Sequence, residues 1–285
     1  MANPYVNTIP EAGGTSHASL QGKTVLLTGI GQSGDPSMWG NGAATARILC
    51  ANGARVFGCD LDLSRAQATR KRVQAEGGVC EVIACDVTDS SQVEDFVRRG
   101  KEWGGGRVDI LVNNVGMSEK GGPAEMDERT WDRQMDVNLK SVYLLCHSVL
   151  PIMEEQGSGV VVNVSSVAGL RYIGKPQVAY AATKAAVLQF TRATAVMYAP
   201  KGVRMNAVVP GLMHTPLLGM LADKYAGGDL EGFVKTRDAQ VPTGKMGTSF
   251  DVANTTAWLC SDASKYVTGT EIVVDGAIVQ STGRV

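Results

Sequence analysis

Apolar residues occur in short, nearly continuous runs that recur along the whole chain. Runs such as Val160 to Val164 show no strict alternation of apolar and polar positions, which indicates strands covered on both faces, as in a parallel sheet. Seven segments rich in Val, Ile and Leu are therefore predicted to be strands: Thr24–Thr28, Arg55–Cys59, Cys80–Cys85, Val108–Asn113, Val160–Ser165, Arg204–Val209 and Glu271–Val274.

Segments with helical periodicity lie between these strands. They are Gly42–Ala51, Ser64–Ala75, Ser91–Trp103, Asp127–Leu150, Val178–Tyr198 and Ser249–Ser261. Because strand and helix alternate throughout, the pattern predicts a doubly wound α/β fold of the Rossmann type, with one seven-stranded parallel sheet and helices on both faces.

The chain of 285 residues fits a single domain and shows no internal repeat or linker. Residues 1–20 are polar and are predicted to form a flexible tail, while residues 21–285 form the domain. Residues 212–247 interrupt the regular alternation, and connections of this length are usually functional. We therefore expect residues 212–247 to form a substrate lid.

Composition excludes several classes of function. The 27 basic and 28 acidic side chains give a net charge of -1, without the positive surface that nucleic-acid binding needs. No apolar stretch approaches the roughly 18 residues of a membrane span, so no membrane contact is expected. The tail has no signal-peptide pattern and the six cysteines form no CxxC pair, which favours reduced thiols and a cytoplasmic protein. Charged residues are only 19%, below the usual share of about 25%, which favours an oligomer.

A glycine-bearing turn joins the first strand to the first helix. Backbone N–H groups at such a helix start can bind a pyrophosphate, although glycines can also merely close the turn. Asp60 ends the second strand, where a carboxylate accepts hydrogen bonds from a ribose 2′-hydroxyl and repels a 2′-phosphate. This arrangement predicts NAD(H), in preference to NADP(H), as the cofactor.

An ordered set of motifs from Thr28 to Gly276 resembles the short-chain dehydrogenase/reductase family. The residues that carry the resemblance are Thr28-Gly29 with Gly40 and Gly42, Asp86 in CDVTD, Asn113 to Gly116 (NNVG), Asn138 in DVNLKS, Ser166 in VNVSS, Tyr180 and Lys184 in YAATK, Pro210-Gly211 with Thr215, and Val274-Asp275-Gly276. Any one motif could arise by chance, but the ordered set is characteristic of the family.

The resemblance implies further cofactor contacts. Asp86 is expected at the adenine, Asn113 on the adenosine side, and Thr215 with the Pro210-Gly211 turn at the nicotinamide end. The remaining cofactor-binding residues expected from the family pattern are Gly29, Gly40, Gly42, Val87, Gly116, Tyr180 and Lys184.

Two features depart from the family pattern. Ten residues, Ile30 to Trp39, separate Gly29 from Gly40 where the family has three, so the turn is enlarged by seven residues. Gly40 and Gly42 keep the phosphate role, and the insertion is expected to lie near the cofactor. The second departure is that Ser166 precedes Tyr180 by fourteen positions, one more than the commonest spacing. The neighbouring Ser165 competes for the role, and Ser166 is preferred.

The candidate catalytic residues are Asn138, Ser166, Tyr180 and Lys184. Tyr180 and Lys184 stand four apart on one helix face, about 5 to 6 Å apart at Cβ. A tyrosine pKa near 10 is too high for proton transfer near neutrality, so Lys184 and an oxidised nicotinamide are expected to lower it. Ser166 follows a strand end and can hydrogen-bond the substrate oxygen. On the family's model Asn138 supports a water relay to Lys184; the alternative is a buried asparagine satisfied by backbone.

These residues predict an NAD(H)-dependent oxidoreductase that interconverts a secondary alcohol and a ketone. Apolar side chains in residues 212–247 favour a small, apolar or cyclic substrate. No pattern for a metal site is present, and nicotinamide chemistry needs none. The resemblance also implies a homotetramer that pairs through long helices and the last strand, Glu271–Val274.

Three alternatives remain open. The first is a 3-oxoacyl carrier-protein reductase, whose acidic carrier could dock on Arg129, Arg133 and Arg171; Asp60 argues against it, because that chemistry usually uses NADPH. The second, from another class, is a non-catalytic NAD(H)-binding sensor or scaffold. The third, a sugar-nucleotide epimerase, normally needs a longer carboxyl-terminal region than this chain has.

Overall fold

All seven predicted strands form one parallel sheet in the computed structural model, which describes residues 17–32 and 34–282. The nine strands are β1 Thr24–Thr28, β2 Arg55–Asp60, β3 Val79–Ala84, β4 Ile110–Asn113, β5 Gly159–Val164, β6 Val203–Pro210, β7 Met213–His214, β8 Gly247–Thr248 and β9 Glu271–Val274. The large sheet has the order β3-β2-β1-β4-β5-β6-β9, while β7 and β8 pair separately. The strand order reverses between β1 and β4, and ligands bind at the carboxyl ends of the strands at such a point.

The helices cover both faces of this sheet. They are α1 Asn41–Ala51, α2 Leu63–Ala75, α3 Ser90–Trp103, α4 Glu128–Met135, α5 Ser141–Gln156, α6 Val178–Tyr198, α7 Leu218–Ala226, α8 Leu230–Gln240 and α9 Ser249–Cys260. The side chains of Asp62 and Asp89 accept hydrogen bonds from first-turn amides of α2 and α3, which fixes where these helices begin. The predicted helix Asp127–Leu150 is instead α4 and α5 joined by a π-helical turn over Asp136–Lys140.

The core consists of two main apolar layers, one on each side of the sheet. In β1, Val25 and Leu27 pack in the layer that contains α1 and α9, whereas Leu26 packs in the layer that contains α3 and α5. Successive strand residues point to opposite faces, so a strand covered on both sides is apolar at every position. This explains why the strands show no apolar–polar alternation.

The folded region begins before residue 21. Residues Ala18–Leu20 form a short 3₁₀ helix, and the Leu20 side chain is fully buried in the core. The predicted tail therefore extends too far by at least these residues. Residues 1–16 lie outside the described residues.

The segment 212–247 contains two helices rather than a bare connection. Strands β7 and β8 pair at its two ends, and α7 and α8 lie between them. A small apolar cluster of its own holds the helices together, with Leu218, Phe233 and Met246 buried in it. Outside this cluster, Met213 packs in the main core, and Leu217 and Met220 are exposed. Residues 212–247 are called the lid.

All six cysteines are buried and free, as predicted. No helix of the described residues is both long enough and apolar enough to cross a membrane.

We propose that copies of this chain pair through α5, α6 and β9, as expected for a homotetramer. Strand β9 lies at the sheet edge, and large apolar side chains on the helices are exposed, with Tyr143 at 50%, Val196 at 76% and Met197 at 67%. Light scattering should give about four times the monomer mass, and Val196→Asp should reduce it because a charge disfavours apolar pairing. A monomer at micromolar concentration would refute this proposal.

Candidate active site

The end of β1, the glycine turn and the start of α1 are in direct contact. Gly29 has a φ of +67°, and a Cβ on Gly42 would lie 2.0 Å from the Gly29 carbonyl oxygen. The Asn114 side-chain amide donates to the carbonyls of Thr28 at 3.2 Å and Gly29 at 3.0 Å. Glycine at position 42 is therefore required for the helix to begin this close to the turn.

The start of α1 has the features of a phosphate site. Gly40 provides no capping side chain, so the first-turn amides are left without a side-chain cap. The amides and the positive end of the helix dipole fit the pyrophosphate of a dinucleotide.

Asp60 lies at the end of β2, beside the glycine turn. Its Oδ2 accepts from the Gly31 amide at 3.0 Å and its Oδ1 from the Asp62 amide at 3.1 Å. Each carboxylate oxygen can accept a further hydrogen bond, so the group can still bind two ribose hydroxyls.

The enlarged turn is tied to its surroundings by Trp39. The Trp39 ring lies 3.5 Å from the guanidinium carbon of Arg72 and 5.0 Å from that of Arg47, and it packs edge-on against Phe250. At the other side of the insertion, a Cβ on Gly34 would lie 2.3 Å from the Pro216 carbonyl oxygen of the lid. The insertion thus connects α1, α2, α9 and the lid; Ser33, within it, lies outside the described residues.

Two expected adenosine contacts have side chains engaged elsewhere. Asp86 accepts from the amide and the hydroxyl of Thr88, and Val87 is buried. Asn113 is also buried, and its side-chain amide donates to Asn163 on the neighbouring strand at 2.8 Å. The Asn113 side chain therefore links β4 to β5, and a contact of Asn113 with the adenosine side of a cofactor, which stays a prediction, would use its backbone.

The remaining expected cofactor residues line the same edge of the sheet. The Gly211 amide donates to the Val274 carbonyl at 2.9 Å, directly after Pro210 ends β6. Thr215 is buried where the lid begins. Gly116 is exposed, and a Cβ there would lie 3.2 Å from the Lys184 ammonium. The solvent-exposed backbone at Gly116 thus lies next to the Lys184 ammonium.

Ser166 and Tyr180 face each other across the carboxyl end of β5. The Ser166 hydroxyl lies near enough to the Tyr180 phenol to lower its pKa, and Tyr180 is half-buried on the first turn of α6. The hydroxyl of Ser165 instead donates to the Lys184 backbone carbonyl at 2.8 Å in the core. Of the two candidate serines, only Ser166 is placed to act on a group bound at Tyr180.

Lys184 is 3% exposed, and its ammonium donates to the Val164 carbonyl at 2.8 Å. Burial lowers the pKa of Lys184 to about 8. Burial also raises the pKa of Tyr180 above its usual value, and the Ser166 hydrogen bond opposes that rise. In the chain without cofactor, burial thus outweighs any lowering of the Tyr180 pKa by Lys184, whose ammonium is directed at a backbone carbonyl. The expected lowering by Lys184 together with an oxidised nicotinamide stays a prediction.

Asn138 lies in the π-helical turn and is fully buried. Its Oδ1 accepts from the Met117 amide at 2.8 Å, while its Nδ2 donates to the Met117 carbonyl at 2.9 Å and to the Thr183 hydroxyl at 3.1 Å. The structure thus shows the alternative noted from the sequence, an asparagine satisfied mainly by backbone. The side chain positions the Gly116–Met117 segment against α6.

Asn114 and Thr183 are site residues that the sequence analysis did not single out. Asn114 holds the glycine turn, and Thr183 links Asn138 to the helix that carries Tyr180. Both residues lie within motifs that the sequence analysis identified, Asn114 in NNVG and Thr183 in YAATK, and these motifs could have pointed to them. Within the described residues, no three His, Cys, Asp or Glu side chains are grouped so that they could hold a metal ion.

The fold and this site define a doubly wound α/β protein of the Rossmann type. A family model described as Enoyl-(Acyl carrier protein) reductase matches residues 37–278. The chain belongs to the short-chain dehydrogenase/reductase family of oxidoreductases, whose members typically use a nicotinamide cofactor.

Three similar proteins illustrate the range of the family. The 3-oxoacyl-acyl-carrier-protein reductase of Thermotoga maritima is 34% identical, over 91% of this chain and 99% of that protein. The 2,5-dichloro-2,5-cyclohexadiene-1,4-diol dehydrogenase of Sphingobium indicum is 33% identical, over 90% and 96%. The crystal structure of a protein assigned to the short-chain dehydrogenases/reductases from Burkholderia xenovorans is 47% identical, with a TM-score of 0.86 over 92% of this chain and 98% of that one.

The buried position of Lys184 predicts an unusual titration. In protein carrying ¹³C-labelled lysine, the Cε resonance of Lys184 should titrate near pH 8, and Lys184→Met should remove that resonance. In the unfolded chain the Lys184 ammonium has a pKa of about 10.5, so between pH 8 and pH 10 the unfolded state binds a proton that the folded state has lost. The free energy of unfolding of the wild type, relative to that of Lys184→Met, should therefore rise over this range. Titration of Lys184 near its ordinary value would contradict the assignment.

Proposed function

We propose that this protein is an NAD(H)-dependent oxidoreductase that interconverts a secondary alcohol and a ketone. The observation that carries the proposal is the placement of Tyr180 beside Ser166, whose hydroxyl acts on the Tyr180 pKa, with the buried Lys184 ammonium 5.7 Å from the centre of the Tyr180 ring. The pair lies at the sheet edge that also carries the glycine turn. Open α/β sheets bind their ligands at this edge.

The residues present fit a nicotinamide dinucleotide. The turn at Gly29, Gly40 and Gly42 brings β1 close to the start of α1, because a side chain at position 42 would collide with the Gly29 carbonyl. The first-turn amides of α1 have no side-chain cap and can bind phosphate. The carboxylate of Asp60 supports NAD(H), since a 2′-phosphate beside it would be repelled.

When bound, the nicotinamide would accept or supply the hydride. In the reduction direction, Tyr180 donates its hydroxyl proton to the ketone oxygen, and the raised pKa of Tyr180 keeps the phenol protonated near neutral pH. Ser166 hydrogen-bonds the same oxygen and fixes its position. The hydrogen bond to the Val164 carbonyl positions the Lys184 ammonium beside the exposed backbone of Gly116, where it can contact the ribose of the cofactor.

The substrate is proposed to be small, with an apolar or cyclic body. The Sphingobium relative is named for a cyclic diol. In this chain the exposed side chains of Leu217 and Met220 lie at the start of the lid, where they can contact an apolar molecule. Both observations favour a small alcohol or ketone.

Carrier-protein reduction is the second candidate, since the Thermotoga relative has that name. The basic surface expected to dock an acidic carrier is weak in this structure. Arg171 donates to the backbone carbonyls of Ile278, Val279 and Ser281. Arg129 and Arg133 share a surface groove with three carboxylates, those of Glu128, Asp132 and Asp136. These contacts favour the small substrate.

Removing the proposed proton donor should abolish turnover. Tyr180→Phe should lower kcat by about 10²- to 10⁴-fold, the usual contribution of general acid–base catalysis, with NADH binding retained. The measurement is NADH absorbance across a panel of ketones, with NADH fluorescence reporting binding. Tyr266→Phe, at a fully exposed tyrosine, is the matched control.

Rates of Tyr180→Phe close to wild type would defeat the catalytic assignment. Wild-type protein that binds NADH yet turns over no ketone or alcohol would instead support the non-catalytic sensor or scaffold.

Asp60 should set the choice of cofactor. Wild-type protein is expected to use NADH at least about tenfold better than NADPH in kcat/KM, and Asp60→Ala should reduce this ratio by about tenfold or more because the repulsion is lost. Asp132→Ala, at an exposed aspartate on α4, is the control. A wild-type preference for NADPH would contradict the proposal and favour the carrier-protein reductase.

A further inference from the structure

Two cations meet on the inner side of the lid. Lys175 lies in the segment that leads into α6, and Arg237 lies on α8. The Lys175 ammonium is 5.2 Å from the centre of the Phe233 ring, and the Arg237 guanidinium carbon is 5.1 Å from the same centre. Lys175 also lies 4.4 Å from the centre of the Tyr225 ring. The Phe233 ring thus contacts both cations, and the Tyr225 ring contacts Lys175 as well.

Arg237 is buried without a matching anion. Its side chain is 9% exposed, and its Nε has no hydrogen-bond partner. Asp238, the next residue, accepts from the Met246 amide and acts electrostatically on His214. Across residues 17–32 and 34–282, no ion pair includes Lys175 or Arg237.

The two cations destabilise each other. Burial together with the charge of Arg237 lowers the pKa of Lys175 to about 8, and burial lowers the pKa of Arg237 as well. Contact with an aromatic ring offsets only part of the desolvation free energy of a buried, unpaired charge. An anion bound to Lys175 and Arg237 would offset the rest.

The cation pair lies close in the fold to the candidate catalytic tyrosine. The hydroxyl of Tyr225 accepts from the Gln177 side chain at 3.1 Å, and Gln177 precedes the first turn of α6, which carries Tyr180. The lid is also fastened by Lys224, whose ammonium donates to the Ser118 carbonyl and to Glu119. The pair therefore lies where the lid meets the start of α6.

We propose that Lys175 and Arg237 bind an anionic oxygen group, a carboxylate or a phosphate, at the far end of the substrate. This inference rests on the proposed function for the reacting carbonyl, which lies at Tyr180. Tyr225 and Phe233 position the two cations and pack against the apolar body of the molecule. The substrate class is then an oxo acid or hydroxy acid, or the matching phosphate ester, rather than a neutral ketone.

Matched pairs of compounds test the anion site. Straight-chain 3- to 6-oxo acids are compared with their methyl esters, and dihydroxyacetone phosphate with dihydroxyacetone, by NADH absorbance. Wild-type kcat/KM should be at least about tenfold higher for the charged member of a pair, the size expected for a charge-assisted hydrogen bond. Whether the acids or the phosphate show this preference identifies the anion.

Two variants should remove the preference. Lys175→Met and Arg237→Met should each lower kcat/KM for the charged compound at least about tenfold and leave the neutral compound within about threefold. Arg237→Lys should restore part of the loss. Lys235→Met, at an exposed lysine on the same helix, is the control. Equal use of charged and neutral compounds by the wild type would overturn the proposal.

Thermal unfolding separates this site from a structural role and from the proposed function. Without ligand, Arg237→Met should be as stable as wild type or more so, because a buried unpaired charge is removed. The charged compounds should raise the wild-type Tm and not that of Arg237→Met. A lowered Tm of ligand-free Arg237→Met, or no shift with any charged compound, would overturn the anion site. A Tm shift without turnover would retain it and reject the proposed reaction.

Discussion

The close contact between helix α6 and the end of strand β5 is the constraint on which the site depends. A Cβ on Gly169 would lie 2.6 Å from the backbone of Lys184, so the segment after β5 can approach the helix only with glycine there. The Ser165 hydroxyl and the Val164 carbonyl then bond to Lys184 from the strand side. Ser166, one residue further along, is left facing Tyr180 across the cleft.

This contact also determines the charge state of the site. The Lys184 ammonium is almost fully buried and donates to one backbone carbonyl, that of Val164. Its burial lowers its pKa. The same burial that positions Tyr180 makes its phenol harder to ionise. The protein by itself therefore favours a protonated tyrosine. In the proposed reaction this suits proton donation to a ketone, and the positive charge of an oxidised nicotinamide would favour ionisation of Tyr180 in the reverse direction.

Lys184 is stabilised in a different way from the pair Lys175 and Arg237. Lys184 is satisfied by a backbone carbonyl, whereas Lys175 and Arg237 have aromatic rings as neighbours. Rings stabilise a cation without neutralising it. The first arrangement is complete within the chain, and the second is the one that we propose an anion completes.

The sequence alone determined the alternating strands and helices, because continuous apolar runs and helical periodicity follow from local geometry. It also predicted Ser166, Tyr180 and Lys184 as candidate catalytic residues, from their spacing and from the ordered family motifs. The side-chain partners of Asn113 and Asn138 and the direction of the Tyr180 pKa were decided by tertiary structure, through burial and partners distant in the chain. Sequence spacing carries no information about desolvation, which depends on what packs around a group.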